Sequence, residues 1–484
     1  MISLRSTVWL VYAFSFLCPS VLHSQSLDPK QAQLEALQKK LDSVLSQVGE
    51  IQTQIKELEN ATPVAVPHDS TTAPQKPPTR TTEPELISEH EDISTETATR
   101  ETYLDDPPDA PRFDNEPFDP RYPGFFRLPG TRTFLRIGGF VRTDFVYDLK
   151  PAGFVDAFIP ASIPIPTPAN VYNSTIGVRP TRLSLDFLTP TENFGTVRSL
   201  LEVDLFGANT TPRLRHAYAQ LDNLLVGQTF STFMDPDSGT DQLDFQGPNA
   251  RIAPRNPQIR YTLKLRTGMT FAVAAERPSS DIAFTVAGLA ALPNNPSPDG
   301  ILQLRQEYRG GHVQIAAVFR SISGFLVNGA TDSVFGWGFN LSGAQRMFGR
   351  DSLVYQIAYG DGIERYINDT AGLGIDAALI STQNPSLKAL PVVAPYGGYQ
   401  HFWTPRLRSS IVYGFVQVQN TEFQPGSAFH QSNYSAGNLI WSPIGALTVG
   451  AEFLYGWRVN KDSSTGNAPR ILLSARYTFV RSGE

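Results

Sequence analysis

The residues of this 484-residue chain best suited to chemistry are its arginines. Beyond residue 120 there are 27 Arg and 4 Lys, and many of the arginines recur at alternate positions in short segments of Leu, Val, Ile, Phe and Tyr. Arg182, Ser184 and Asp186 alternate with Leu183, Leu185 and Phe187; Arg260, Thr262 and Lys264 alternate with Ile259, Tyr261 and Leu263. A guanidinium offers a planar fork that grips a carboxylate through two hydrogen bonds, and its charge survives any surroundings. That chemistry is recognition of anions rather than bond making. The four histidines of this region (His216, His312, His401 and His430) have no zinc-type spacing and form no readable Ser/His/Asp set. No catalytic residue, metal site or cofactor is expected. A phospholipase- or protease-type set assembled in space stays as the enzymatic alternative. With one cysteine, Cys18, there is no disulfide framework.

The elements that must hold these arginines have a period of two. Sixteen alternating segments can be placed between residues 134 and 480, and connectors after the odd-numbered ones are long or variable while those after the even-numbered ones are tight. A soluble sandwich would carry mixed Lys, Glu, Ser and Thr on its polar face, whereas this polar face is rich in Arg. Apolar-out, polar-in strands of about ten residues separated by turns are the pattern of a transmembrane barrel. The fold class expected is therefore an all-β transmembrane barrel of about 16 antiparallel strands, preceded by an N-terminal coiled-coil helix and a disordered linker. No uninterrupted run of about 18 apolar residues follows the N-terminus, which excludes a helical membrane protein.

Four regions follow from composition. Residues 1–24 read as a signal peptide, Arg5 preceding the apolar stretch Val8 to Leu22. Residues 27–59 carry a heptad seam of Leu34, Leu37, Leu41, Val44, Val48, Ile51, Ile55 and Leu58, a coiled-coil oligomerisation helix whose β-branched Val44 and Ile51 disfavour a parallel dimer relative to a trimer. Residues 60–120, with eleven prolines among Thr, Ser, Asp and Glu, read as a linker that cannot bury enough apolar surface to order itself. Residues 125–484 form the barrel domain. Residues 1–120 hold 9 Lys and Arg against 20 Asp and Glu, leaving 31 against 26 for the remainder, so the barrel half carries the positive charge.

Strand parity sends seventeen basic and eight acidic side chains inward, giving a net positive lumen. Arg142, Arg182, Arg198, Arg215 and Arg260 are expected to form an anion ladder, with Arg305 and Arg408 as further pore residues. The alternative for any one of them is an ion pair within the wall, such as Arg198 with Glu202 or Arg305 with Glu307. The connector after the fifth strand, about Thr232 to Asn256, carries Asp235, Asp237, Asp241, Asp244, Arg251 and Arg255. It is the candidate constriction loop, whose acids could set a transverse field against the Arg wall. An ordinary surface loop, or calcium at Asp235 to Asp241, are the alternatives. His216, Gln220 and Gln228 break the pattern by falling on the lipid-facing parity, which points to a subunit interface or to a local bulge.

Leu128-Pro-Gly-Thr131 running into Leu135-Arg-Ile-Gly-Gly-Phe-Val-Arg-Thr-Asp144 opens a series of short motifs. Asn193-Phe-Gly195, Arg213-Leu-Arg-His-Ala-Tyr218, Val226-Gly-Gln-Thr-Phe-Ser-Thr-Phe233, Leu243-Asp-Phe-Gln-Gly-Pro248 and Pro257-Gln-Ile-Arg-Tyr-Thr262 continue it. In this order the chain resembles the DcaP-like family of trimeric outer-membrane porins. The resemblance implies a homotrimer in outer-membrane lipid, the N-terminal helix and linker in the periplasm, and diffusive uptake of small anionic solutes including dicarboxylates. The alternative role is an envelope tether in which the helix contacts peptidoglycan or another periplasmic component and transport is incidental. Neither nucleic acid nor a cofactor is an expected partner.

Overall fold

The computed structural model describes residues 124–282, 291–326, 331–380 and 386–480, all within the unit Asp92–Glu484. The signal segment, the heptad seam from Leu34 to Leu58 and the linker lie outside the described residues.

Alternating side chains place apolar groups on one face of each strand and polar groups on the other, and the chain satisfies its backbone by pairing each strand with the next. The strands are β1 (Phe134–Asp148), β2 in two pieces (Asn173–Gly177 and Arg182–Pro190), β3 (Thr196–Asp204) and β4 (Arg213–Leu221). Then come β5 (Leu224–Phe230), β6 (Arg255–Arg266), β7 (Met269–Glu276), β8 (Asp299–Tyr308), β9 (Gly311–Leu326) and β10 (Thr331–Arg346). The series ends with β11 (Ser352–Asp361), β12 (Pro391–Thr404), β13 (Leu407–Val418), β14 (Phe429–Ile444), β15 (Leu447–Asn460) and β16 (Thr465–Val480). Every neighbouring pair is antiparallel, and β16 returns to β1 with Arg476 opposite Arg142 and Arg470 opposite Asp148. The sheet is thus a closed sixteen-stranded barrel without a free edge.

All sixteen expected segments are strands. The connectors after β9 and β15, expected to be long or variable, are short because the flanking strands run on to Leu326 and Asn460 and resume at Thr331 and Thr465. Sidedness follows the arginines. Val141, Leu183, Ile259, Phe339, Tyr413 and Tyr477 are exposed on the outer wall, whereas Arg142, Arg182, Arg260 and Arg470 are buried within. Phe140, which fits no apolar stripe, also points inward, lying under the guanidiniums of Arg182 and Arg476 at 5.1 and 5.5 Å.

One register shift decides the polar residues that broke parity. Between β3 and β4 the pairing slips at Glu202 and Val203, so that Glu202 faces His216 while Val203 faces Leu214. The extra residue lets both Arg215 and His216 turn inward, and the parity of β4 is reversed beyond it. His216 is fully buried, its Nδ1 2.9 Å from Thr229 Oγ1 and its ring edge-on to Phe230. Tyr218 is buried on the same inner face, with Gln220 two residues on. The expectation that His216 and Gln220 face lipid at a subunit contact is therefore corrected. Gln228 stays on the outer face opposite Ala217, where its Nε2 donates to the carbonyls of Leu214 and Arg215 beside the bulge at 3.4 and 3.3 Å. Replacing that amide by an apolar side chain leaves two carbonyls facing hydrocarbon. Gln228→Leu is expected to lower barrel stability by about 1–2 kcal/mol, read as an earlier urea midpoint for loss of the heat-modifiable band on gels.

Candidate functional site

The inner wall from β1 to β4 is a lattice of guanidiniums and carboxylates in which the carboxylates are shared. Asp186 accepts from Arg136 Nη2 at 2.8 Å and from Arg198 Nε and Nη2 at 3.1 and 3.0 Å. Asp204 accepts from Arg213 Nη2 at 2.6 Å and from Arg215 Nη1 at 3.0 Å. Glu202 accepts from Arg215 Nε at 2.6 Å and lies 3.7 Å from Arg182 Nε. Five arginines (136, 182, 198, 213 and 215) thus meet three carboxylates (186, 202 and 204), a surplus of two positive charges within the ion-paired wall. Arg142 donates to Asp144 at 2.8 Å and to the Leu243 carbonyl, and Arg260 is buried on β6.

Aromatic rings separate the charges. Phe245 stacks on Phe206 with centroids 4.2 Å apart, and Arg182, Arg213 and Arg215 lie 5.8, 6.0 and 5.6 Å from the Phe245 centroid. Ring faces carry negative charge density, so the guanidiniums are held close together without additional acids.

Loop 231–254, between β5 and β6, folds into the barrel as the constriction expectation requires. Phe233, Met234, Ala250 and Ile252 are buried against the inner wall. Its aspartates are anchors. Asp235 accepts from Arg305 Nη1 at 3.0 Å and lies 2.8 Å from His312 Nε2; Asp237 accepts from Arg305 Nη2 at 2.6 Å. Burial alone would raise the Asp235 carboxyl, but His312 and Arg305 outweigh it and hold the group below its usual range. Asp241 takes a hydrogen bond from Arg408, which also reaches Ser442 Oγ at 3.0 Å. Arg305 and Arg408, expected on the open pore wall, instead lie buried beneath this loop. The same pairing gives both oxygens of Asp235 to Arg305 and His312 and Oδ2 of Asp237 to Arg305, and no cluster among the described residues could hold a metal ion. Asp241 likewise pairs with a wall arginine, Arg408. Arg251 belongs to the loop's C-terminal limb, where methyls at Gly239 and Gly247 would sit 3.9 and 3.8 Å from its Nη2 and Nη1; Arg255, expected in the loop, is the first residue of β6, paired with Phe230 and lying 4.4 Å over its ring.

The far end of the loop rests on Asp244. Tyr434 OH donates to its carboxylate at 3.1 Å, the amides of Gln246 and Gly247 at 3.2 and 3.1 Å, and its own amide reaches Glu452 Oε2 at 2.5 Å. Burial pushes the Asp244 carboxyl from 3.8 up to about 6, against the pull of Arg470 and these donors. A carboxyl raised on folding favours the seated loop in its neutral form: the contribution is complete below the ordinary value and is lost as pH rises through about 6. Hydrogen exchange at Gln246 and Gly247, corrected for intrinsic rates, is expected to accelerate between pH 5 and pH 7, and Asp244→Asn is expected to abolish that acceleration.

Tyr218 and the Phe206–Phe245 pair were not signalled by parity, whereas His216 was, as a break in it. The adjacent polar residues Arg215-His216 within an alternating run are the trace the bulge leaves in the sequence.

The profile of the DcaP outer membrane protein family matches residues 128–479. Among solved structures, the outer membrane channel DcaP of Acinetobacter baumannii is similar at 24% identity, with 73% of this chain and 99% of that chain covered and a TM-score of 0.65. An anion-selective porin from Comamonas acidovorans aligns at 10% identity over 72% of this chain and 100% of its own, with a TM-score of 0.48. OmpT of Vibrio cholerae aligns at 13% identity over 73% and 99%, with a TM-score of 0.46. No curated protein sequence matches the chain. A closed sixteen-stranded barrel with an apolar outer wall and an infolded third long loop, matched along its length by one family, places this chain in the DcaP outer membrane protein family, a family of outer-membrane channels.

Proposed function

We propose that the channel admits small anionic solutes, dicarboxylates among them, by passive diffusion along the arginine-rich wall of β1 to β6. The observation that carries this reading is the sharing of three carboxylates by five arginines, which leaves the wall positive even though each guanidinium has a partner. A positive, water-filled passage concentrates anions and repels cations. Of the ladder proposed from the sequence, Arg142, Arg182, Arg198, Arg215 and Arg260 line this wall, while Arg305 and Arg408 seat the loop. In a KCl gradient across a planar bilayer the zero-current potential should show anion preference. Arg198→Ser and Arg260→Ser should each reduce the chloride-to-potassium permeability ratio about twofold or more; cation preference in the wild type would defeat the reading and leave the fold untouched.

The N-terminal part belongs to the same proposal. Residues 1–24 direct export, 27–59 form a three-stranded coiled coil in the periplasm that holds a homotrimer, and 60–120 form the tether to the barrel. The support is the unbroken heptad seam and its β-branched residues. Deleting residues 25–120 is expected to shift the detergent-solubilised species from trimer toward monomer in light scattering, with conductance per barrel unchanged. A deletion that instead leaves trimers intact but detaches the envelope would favour the tethering role.

A further inference from the structure

One end of the barrel carries cations that the ion-paired wall does not absorb. Lys264 and Arg266 close β6, Arg309 lies in the turn from β8 to β9, and Arg406 lies in the turn from β12 to β13, so the topology gathers all four at the end of the tight turns. All four are exposed, and none of their side chains has an ion-pair partner among the described residues. The acids at this end are mostly engaged. Glu192 pairs with Arg132 at 2.8 Å, Glu307 with Arg305 at 2.6 Å and Asp351 with His401 at 2.7 Å. Among the described residues, Asp222 in the turn from β4 to β5 is the one exposed acid here outside an ion pair.

The chain enters the barrel at the same end, from inside the wall. Phe126 pairs with Leu135 and Arg127 with Phe134, while Phe125 lies under the Arg136 guanidinium at 4.7 Å. A methyl at Gly124 would sit 3.4 Å from Arg136 Cδ, and Arg136 belongs to the inner wall through its bond to Asp186. The residues before Gly124 therefore start at the mouth of the passage. Residues 101–120, which lie outside the described residues, hold seven acids against one base, Arg112. Since a chain spans at most about 3.6 Å per residue, Asp119 stays within about 18 Å of Gly124 and Asp114 within about 36 Å. An exposed ion pair is weak by itself, but a tether this short keeps the acids near the rim at an effective concentration on the order of millimolar.

We propose that the acidic segment 101–120 docks on this rim, its carboxylates pairing with Lys264, Arg266, Arg309 and Arg406. The occupant is the chain's own N-terminal extension because its charge complements the rim and its attachment at Gly124 delivers it to the mouth. Docking offsets part of the positive charge at the turn end, so the two mouths of the passage differ in charge.

The test is zero-length cross-linking of the full-length protein with a carbodiimide, which joins carboxylates to lysines. Of the four barrel lysines Lys264 alone stands at the turn end; Lys150, Lys388 and Lys461 stand at the other and serve as controls. Mass spectrometry should find Lys264 joined to residues 101–120 and the three controls not. Screening shortens from about 10 Å in 0.1 M salt to about 3 Å in 1 M, so the yield should fall about fivefold between the two. Combining Arg266→Gln, Arg309→Gln and Arg406→Gln, all at exposed positions, should lower the low-salt yield in the same way. Asp114→Asn, Glu116→Gln and Asp119→Asn together should raise the chloride-to-potassium permeability ratio about twofold at low salt. Equal yield in the two salts, no product at Lys264, or an unshifted ratio overturns the docking. A cross-link present in phosphatidylcholine vesicles and lost in phosphatidylglycerol vesicles assigns the rim to lipid headgroups and overturns it too. Whether the wild type prefers anions is read separately, from the sign of its own zero-current potential.

Discussion

The structure depends on one carboxylate serving two guanidiniums. Removing a cation from water is costly, and a barrel wall that turned five arginines inward without acids would not hold them; a wall that matched each with its own acid would be neutral. Sharing Asp186, Glu202 and Asp204 resolves both demands, because four of the five arginines keep a short, directional partner and Arg182 stays 3.7 Å from Glu202, while the sum stays positive. Phe206, Phe245 and Phe140 extend the arrangement by placing ring faces against arginines that have reached the limit of the available acids. Lysine would serve poorly here, having neither the two-edged fork nor the flat face that stacks on a ring.

The infolded loop uses the opposite arithmetic. Around Arg305 three acids, Asp235, Asp237 and Glu307, gather on one guanidinium, with His312 as a further partner of Asp235. Arg408 is likewise matched by Asp241. Acid-rich pairing fixes the loop at Arg305, and the acid-poor cluster meets the same loop at Phe245, so its two seats differ in charge although both are built from Arg, Asp and Glu.

How much of this could be read from residues alone divides along the range of the interaction. The sixteen strands were legible because period-two alternation is a property of each segment by itself, as in Leu183, Leu185 and Phe187. The infolded loop was legible by its place after the fifth strand and by its acids. Ion-pair partners were legible only where they lie on one strand: Arg305 does bind Glu307, two residues away, at 2.6 Å. Arg198 does not bind Glu202, its neighbour along β3; it binds Asp186 across the strand boundary, and Glu202 turns to Arg215. Register between strands sets those choices, and register is a relation between two segments rather than a pattern within either. The bulge at Glu202 is the sharpest instance, since a single extra residue reversed the inner and outer faces of β4 and brought Tyr218 inside. The heptad seam, though readable, lies outside the described residues.

The anchors of the infolded loop also constrain the order of events during assembly. Thr232 docks on Glu276, Asn340 Nδ2 donates to the Phe233 carbonyl, Gln356 Nε2 to that of Ala250, and Glu452 accepts from an amide 208 residues earlier. All of these receptors follow the loop in the chain. Until the later hairpins are in place, Asp235, Asp237 and Asp244 have nowhere to dock and remain hydrated, which suits a polypeptide that must cross an aqueous compartment without aggregating. The loop therefore takes its final seat only once these later strands are in place.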